Sequence, residues 1–229
     1  AGLLALLALG AGALLLGHLR RAPAPVIDLR LFRSRVFSAG LAAGLLSYAA
    51  LFTSTFLTPF FLSQVKGLSA SQLGAMLTAV PLALSLASPL AGWLDDRTGT
   101  RLLGPVGMVV LAGGLAALGC AGPDTSLPSL AARLATCGVG MGLFQPPNNS
   151  AVMGALPRER LGSGGGLLAT ARNVGMVAGI AAGSALFRAH ASGLRSAATG
   201  DFLAGYRAAL LAGAVTALAA GCVSLARRR

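Results

Sequence analysis

The chain has 229 residues, 55% hydrophobic and only 10% charged, with a mean hydropathy of +0.77. A water-soluble core has no use for that much apolar surface, so an ordinary globular domain is excluded and a lipid bilayer is the expected partner. The net charge of +12 invites a nucleic-acid reading, but the basic residues sit in short loops between apolar segments. They form no stripe on a soluble face, and no nucleic-acid partner is expected.

Apolar segments run near 1–17, 36–62, 72–94, 102–121, 129–155, 164–187 and 203–225. Each is close to the ~20 residues that cross ~30 Å of hydrocarbon. Only a helix satisfies every backbone N–H and C=O inside one segment in lipid, so the expected fold is an all-α membrane protein of about seven transmembrane helices. The first segment begins at Ala1, directly in apolar sequence, with no initiator Met and no basic lead. It reads as a flanking helix truncated at its start, not as a signal peptide. The chain is therefore expected to be a fragment.

Residues 18–35 read as a basic cytoplasmic linker. Ala22-Pro23-Ala24-Pro25 is extended, because a residue before proline avoids the helical region. The alternation of apolar and charged residues over 26–33 suits a short helix on the membrane surface. Residues 36–225 then form one six-helix bundle, since its short loops force antiparallel neighbours. Three spans followed by three of opposite orientation match the count, though not a demonstrated sequence likeness, of an inverted repeat. Residues 226–229 are a basic tail.

Arginines mark one side of the membrane. Arg20, Arg21, Arg30, Arg33 and Arg35 lie in the first loop, Arg97 and Arg101 in the third, Arg158 and Arg160 in the fifth, and Arg227, Arg228 and Arg229 at the end. The other side has only Lys66, Arg188, Arg195 and, at its edge, Arg207. This positive-inside pattern places the carboxyl terminus in the cytoplasm of a multi-pass plasma (inner) membrane protein.

The sharpest motif is the third loop, Gly92-Trp93-Leu94-Asp95-Asp96-Arg97-Thr98-Gly99-Thr100-Arg101. Gly92 is expected to let neighbouring helices approach, and Gly99 to supply a left-handed turn. Asp96 can meet the positive end of a nearby helix. Arg97 and Arg101 can hold carboxylates or helix carboxyl ends in a latch that breaks when the bundle rocks. In the fifth span, Gln145, Asn148 and Asn149 surround Pro146-Pro147, which remove two donors and should kink the helix. These polar groups suit either a substrate-contacting wall or interhelical hydrogen-bond ties. Arg172 lies about 13 Å inside its span at 1.5 Å per residue. An unpaired arginine there costs at least about 2.5 kcal/mol, so it should donate to Gln145, Asn148, Asn149 or a carboxylate from elsewhere. Arg133, about a turn inside the outer end, should snorkel outward.

Ala171, Gly175, Gly179 and Gly183 repeat every four residues, a smooth ridge for close helix packing. Phe52, Phe56 and Phe60 also recur at helical spacing, as an aromatic wall or as ordinary lipid and core contact. The acidic residues Asp28, Asp95, Asp96, Asp124, Glu159 and Asp201 all lie in loops or at span ends, so the chain has no deep carboxylate to carry protons. Cys120, Cys137 and Cys222 have no metal or disulfide spacing, and His18 and His190 stand alone. No metal, no cofactor and no enzymatic activity are expected.

The third loop resembles the signature loop between the second and third helices of each half of the major facilitator superfamily. Three further stretches, 25–33, 138–149 and 164–175, are similar to the carboxyl-terminal half of its fourteen-span drug:proton antiporter branch. The resemblance implies that 1–17 is an extra helix between the halves and that 36–225 is the second half, whose missing amino-terminal twin is its main partner. It implies that 36–62 and 129–155 line the central cavity. It further implies that the coupling carboxylate lies in the missing half, with a proton gradient as energy source. The implied activity is alternating-access export of drugs or other small amphipathic organic compounds, and hence antibiotic resistance. A carrier for one metabolite, such as a siderophore or biosynthetic product, or a non-transporting remnant are the alternatives.

Overall fold

Backbone amides surrounded by lipid find partners only within a helix, and the computed structural model is helical wherever it is regular. It describes residues 29–98, 102–190 and 199–226. The flanking segment 1–17, most of the linker and the tail from 227 lie outside the described residues. The expected surface helix over 26–33 is represented by a short 3-10 turn, Leu29–Arg33. Helix α1, Arg35–Phe60, follows at once, its first turn capped by the Ser34 hydroxyl, which accepts from the Phe37 amide at 3.3 Å.

Near its far end α1 carries Pro59 and then widens into a π-helical turn, Phe61–Val65, with the Lys66 amide donating to the Phe61 carbonyl. Gly67, at φ +63°, reverses the chain. The expected span 72–94 is two helices, α2 (Ala70–Leu77) and α3 (Ala79–Thr98). A reciprocal capping box between Ser69 and Gln72 starts α2. The junction at Thr78 has a local cause. The Thr78 hydroxyl donates to the Ala75 carbonyl at 2.6 Å, and Pro81 has no amide to offer the Leu77 carbonyl. The remaining helices are α4 (Leu103–Gly119), α5 (Leu127–Gly154), α6 (Leu161–His190) and α7 (Thr199–Ala226). Helix α5 runs through Pro146-Pro147 without a break.

Among the described residues, four stretches, Arg35–Val65, Ala70–Arg97, Leu127–Gly154 and Gly200–Ala226, are long and apolar enough to cross a membrane. Helix α4 is apolar but has 17 residues, and the run of α6 is interrupted by Arg172 and Asn173. Helix α1 is central and packs on α5, α6 and α7; α4 lies against α5 and α7, and α3 joins through α5. Large apolar side chains point outward from several helices: Leu82, Leu86 and Leu90 from α3, Val174 and Val177 from α6, and Val215 from α7. Water would penalise such faces, whereas lipid or another apolar surface covers them.

Glycines set how closely the helices approach. The predicted ridge is present: Gly175, Gly179 and Gly183 are buried against α1. A Cβ at Gly175 or Gly179 would run into the carbonyl oxygen of Leu45 or Ala49, and one at Gly183 would lie 2.8 Å from Thr53 Cγ2. The Thr53 hydroxyl stitches this seam, 3.0 Å from the Ala49 carbonyl and 3.1 Å from that of Gly179. On α5, Gly138 and Gly142 admit α3, while Gly140 admits α4. The alternating glycines of Gly138-Val139-Gly140-Met141-Gly142 thus serve two neighbours from two faces of one helix.

Candidate functional site

A cavity of about 380 Å³ lies between α1, α2, α3 and α5. Tyr48 and Phe52, one turn apart on α1, form one wall with ring centroids 6.1 Å apart and planes inclined by only 16°. Leu77, Val80, Pro81 and Leu84 supply the opposite apolar side. The polar groups are few, and none of the lining residues is charged. Ser54 and Thr55 both donate their hydroxyl hydrogens to the Leu51 carbonyl, at 2.8 and 3.1 Å. Thr58 is paired with the buried Tyr206 hydroxyl at 3.3 Å. Gln145 of α5 completes the wall, and its amide has no hydrogen-bond partner among the described residues.

The predicted polar group does not converge on this cavity as a unit. Gln145 and Phe52 line it; Asn148, Asn149, Arg172 and Phe56 do not. Asn148 is buried and donates to the Gly40 carbonyl at 3.3 Å, tying α5 to α1. Asn149 lies one turn, ~6 Å, beyond Gln145 along the helix, and accepts from Arg172 Nη2 at 2.5 Å. Phe56 packs on Phe60, with centroids 5.5 Å apart. The separation has a geometric reason: positions 145, 148 and 149 differ in both depth and azimuth on a helix of 3.6 residues per turn. Arg172 remains connected to the cavity, because its guanidinium lies 5.7 Å from the Tyr48 ring centroid. Tyr48 therefore separates an uncharged cavity from a paired cation.

Arg133 differs from expectation. It does not snorkel into open water, but donates to the Ala117 carbonyl at 2.6 Å, in the last turn of α4. A helix carboxyl end offers unpaired carbonyls and partial negative charge, which suits a cation. In the third loop, Arg97 stacks over Trp93 at 4.4 Å and Asp96 is exposed. Gly92 is half-buried with nothing within 4 Å of where a Cβ would stand, so it brings no helix of the described structure closer. Helix α4 begins at Leu103, and its N-cap residue Leu102 supplies no side-chain cap. Gly99 and Arg101 lie outside the described residues. Sequence reasoning missed Tyr48 and the hydroxyls of Ser54, Thr55 and Thr58. The available signal was spacing, since Tyr48 and Thr55 lie one turn either side of Phe52 or Leu51 on a helix expected to line a cavity.

An all-helical bundle with apolar faces outside, and a small uncharged cavity beside paired polar groups inside, is the architecture of a multi-pass membrane protein. The sequence profile of the Major Facilitator Superfamily matches residues 1–180, and the chain belongs to that superfamily. It is 34% identical over 202 residues to the uncharacterized transporter YebQ of Escherichia coli K12, covering 88% of this chain and 42% of that one. It is 35% identical over 161 residues to the riboflavin transporter RibZ of Clostridioides difficile, with coverage of 70% and 35%. The multidrug resistance protein Stp of Mycobacterium tuberculosis is 33% identical over 162 residues, with coverage of 71% and 30%. The chain therefore spans 30–42% of the length of these relatives.

Proposed function

We propose that this chain acts as the carboxyl-terminal half of a proton-coupled exporter of drugs or other amphipathic organic compounds, working by alternating access in the plasma (inner) membrane. The observation that carries the reading is the cavity, an aromatic and aliphatic enclosure of about 380 Å³ with one free amide and no charge. Such a lining suits bulky, largely apolar molecules. The outward apolar faces of α3 and α6 suit contact with lipid and with an amino-terminal half. The carboxyl terminus is on the cytoplasmic side in this reading, with Gly92, Asp96, Arg97, Gly99 and Arg101 forming the hinge and latch between states. Asn148 ties the cavity-lining helices α1 and α5 together, Arg172 with Asn149 ties α5 to α6, and both links hold register during the motion. The coupling carboxylate is assigned to the other half, since every acidic residue of this chain is in a loop or near a helix end. A carrier for a single metabolite is the second reading, favoured by the 35% identity to a riboflavin transporter.

The test is efflux of a hydrophobic dye from cells producing this chain joined to the rest of its reading frame. Export that stops on adding a protonophore supports the proposal. Export that persists without a proton gradient overturns the coupling. Failure of every amphipathic dye, with export of one metabolite, selects the second reading.

A further inference from the structure

Resting on the reading of the cavity as a substrate site, we propose that its preferred ligand is an uncharged, planar ring system bearing a lactam or imide edge. Three observations lead there. First, Tyr48 and Phe52 both line the cavity with ring planes only 16° apart, so a flat ring that stacks on one of them lies nearly parallel to the other. Second, the hydroxyls of Ser54, Thr55 and Thr58 are already engaged, the first two as donors to the Leu51 carbonyl and the third with Tyr206. Ser54 and Thr55 thus direct no free donor at a ligand, and Thr58 already shares its hydroxyl with Tyr206. Third, the Gln145 amide has no hydrogen-bond partner among the described residues. It is a side-by-side donor and acceptor, the complement of a ring N–H adjacent to a ring C=O, and such a pair forms two parallel hydrogen bonds.

Charge selectivity follows from the same arrangement. No carboxylate faces the cavity to balance a cation, and Arg172 sits on the far side of Tyr48 with its Nη2 already bonded to Asn149. An organic cation would therefore be desolvated without a counter-charge. An apolar ring would leave the Gln145 amide buried and unpaired. A lactam avoids both penalties, and a site built to pair with a polar edge rejects the analogue that lacks it.

The experiment uses the 229-residue chain in lipid nanodiscs, titrated with four tricyclic probes followed by their own fluorescence. These are phenanthridin-6(5H)-one, its N-methyl derivative, phenanthrene and N-methylphenanthridinium. The lactam is expected to bind about tenfold tighter than the N-methyl derivative or phenanthrene, the factor set by one polar group left unpaired. The cation is expected to bind weakest. Gln145→Leu should remove the lactam preference and tighten phenanthrene binding, because no amide is then left unpaired, whereas Phe52→Leu should weaken all three neutral probes together. The comparison of lactam with N-methyl lactam needs no substitution, so it stands even if a variant folds poorly. Saturable binding of phenanthrene with no preference for the lactam overturns this inference alone. Equal or tighter binding of the cation also overturns it. Absence of saturable binding by every probe overturns both the inference and the cavity reading beneath it.

Discussion

Helices α1 and α3 are almost equally apolar and meet opposite fates. The most apolar stretches of Arg35–Val65 and Ala70–Arg97 have mean hydropathies of 1.6 and 1.7, yet 50% of the first is buried and only 6% of the second. Hydropathy says which segments enter lipid. It does not say which of them lie inside the bundle, because lipid tails are as apolar as leucine and provide no drive for helix against helix. Small residues decide that. The inner side of α1 carries Gly40, Ala43, Gly44, Ser47, Ala50 and Ser54, all buried, and α6 answers with its glycine ridge. On α3, Ala83, Ala87 and Ser88 meet the α5 glycines and Ala91 is buried, while Leu82, Leu86 and Leu90 are exposed.

The comparison can be broken most severely at the α1–α6 seam. Gly179→Leu drives a side chain into the Ala49 backbone, which a rotamer change cannot relieve. Overpacking of this kind costs about 3 kcal/mol or more, and the variant should lose its cooperative unfolding in mixed detergent micelles. Ala182→Leu, on the exposed side of the same helix, should unfold like the parent. Equal damage by both substitutions would mean that α6 tolerates no change of volume anywhere, and the seam would lose its special status. Next in size is Gly142→Val on α5, where an added Cβ would stand 2.7 Å from that of Ala87. The Leu84 carbonyl oxygen follows at 3.0 Å, farther than the backbone that blocks Gly179, so about 2 kcal/mol is expected. Since α5 is the main helix holding α3, hydrogen exchange should rise across Ala79–Thr98 while the α1–α6 seam stays protected. Exchange rising equally in both would show that the two seams are one cooperative unit.

The same contrast explains what could be read from the chain alone. Helix positions were legible because bilayer thickness fixes their length, and the six spans expected over 36–225 correspond to α1, α2 with α3, and α4 to α7. The ridge of Gly175, Gly179 and Gly183 was legible because its period matches a helix turn, although the partner it packs on was not. Depth along antiparallel neighbours brings Arg172 level with the Gln145, Asn148 and Asn149 group, a one-dimensional argument that needs no fold and that does not choose among them; the structure selects Asn149. The composition of the cavity was harder. Whether Gln145, Asn148 or Asn149 faces an opening depends on the rotation of α5, and that rotation is set by Gly138, Gly140 and Gly142 against two helices at once. The break at Thr78 turns on Pro81, whose missing amide leaves the Leu77 carbonyl without its helical partner, a signal that only the neighbouring hydroxyl of Thr78 makes decisive.

Arg172 sharpens the contrast from the polar side, since it ties two helices that the glycine seams leave less closely joined. Its charge-assisted bond to Asn149 is worth about 1.5–3 kcal/mol where water is excluded. Half-burial of both residues puts the expected loss for Arg172→Ala near the lower bound. Asn149→Leu should lose a similar amount, and the double variant little more than either alone. Full additivity would show that the two side chains stabilise independently. In the joined transporter, Arg172→Ala should lower efflux at matched expression; unchanged efflux would leave Arg172 as a structural tie only.

The smallest effect is expected on the outward face of α3, where it is the most discriminating. Leu86 is 66% exposed and lies away from the α5 contact, so Leu86→Ala in the chain alone should change unfolding by no more than about 0.5 kcal/mol, as for other surface positions. In the joined transporter the same substitution should destabilise by about 1 kcal/mol or more if this face is covered by the amino-terminal half, because buried methylenes are then removed. If lipid covers it instead, the effect stays near zero in both settings, since a side chain moved from lipid to lipid gains and loses nothing. A loss already present in the chain alone would mean that α3 is packed more tightly than its 6% burial implies, and the contrast with α1 would then rest on something other than small residues.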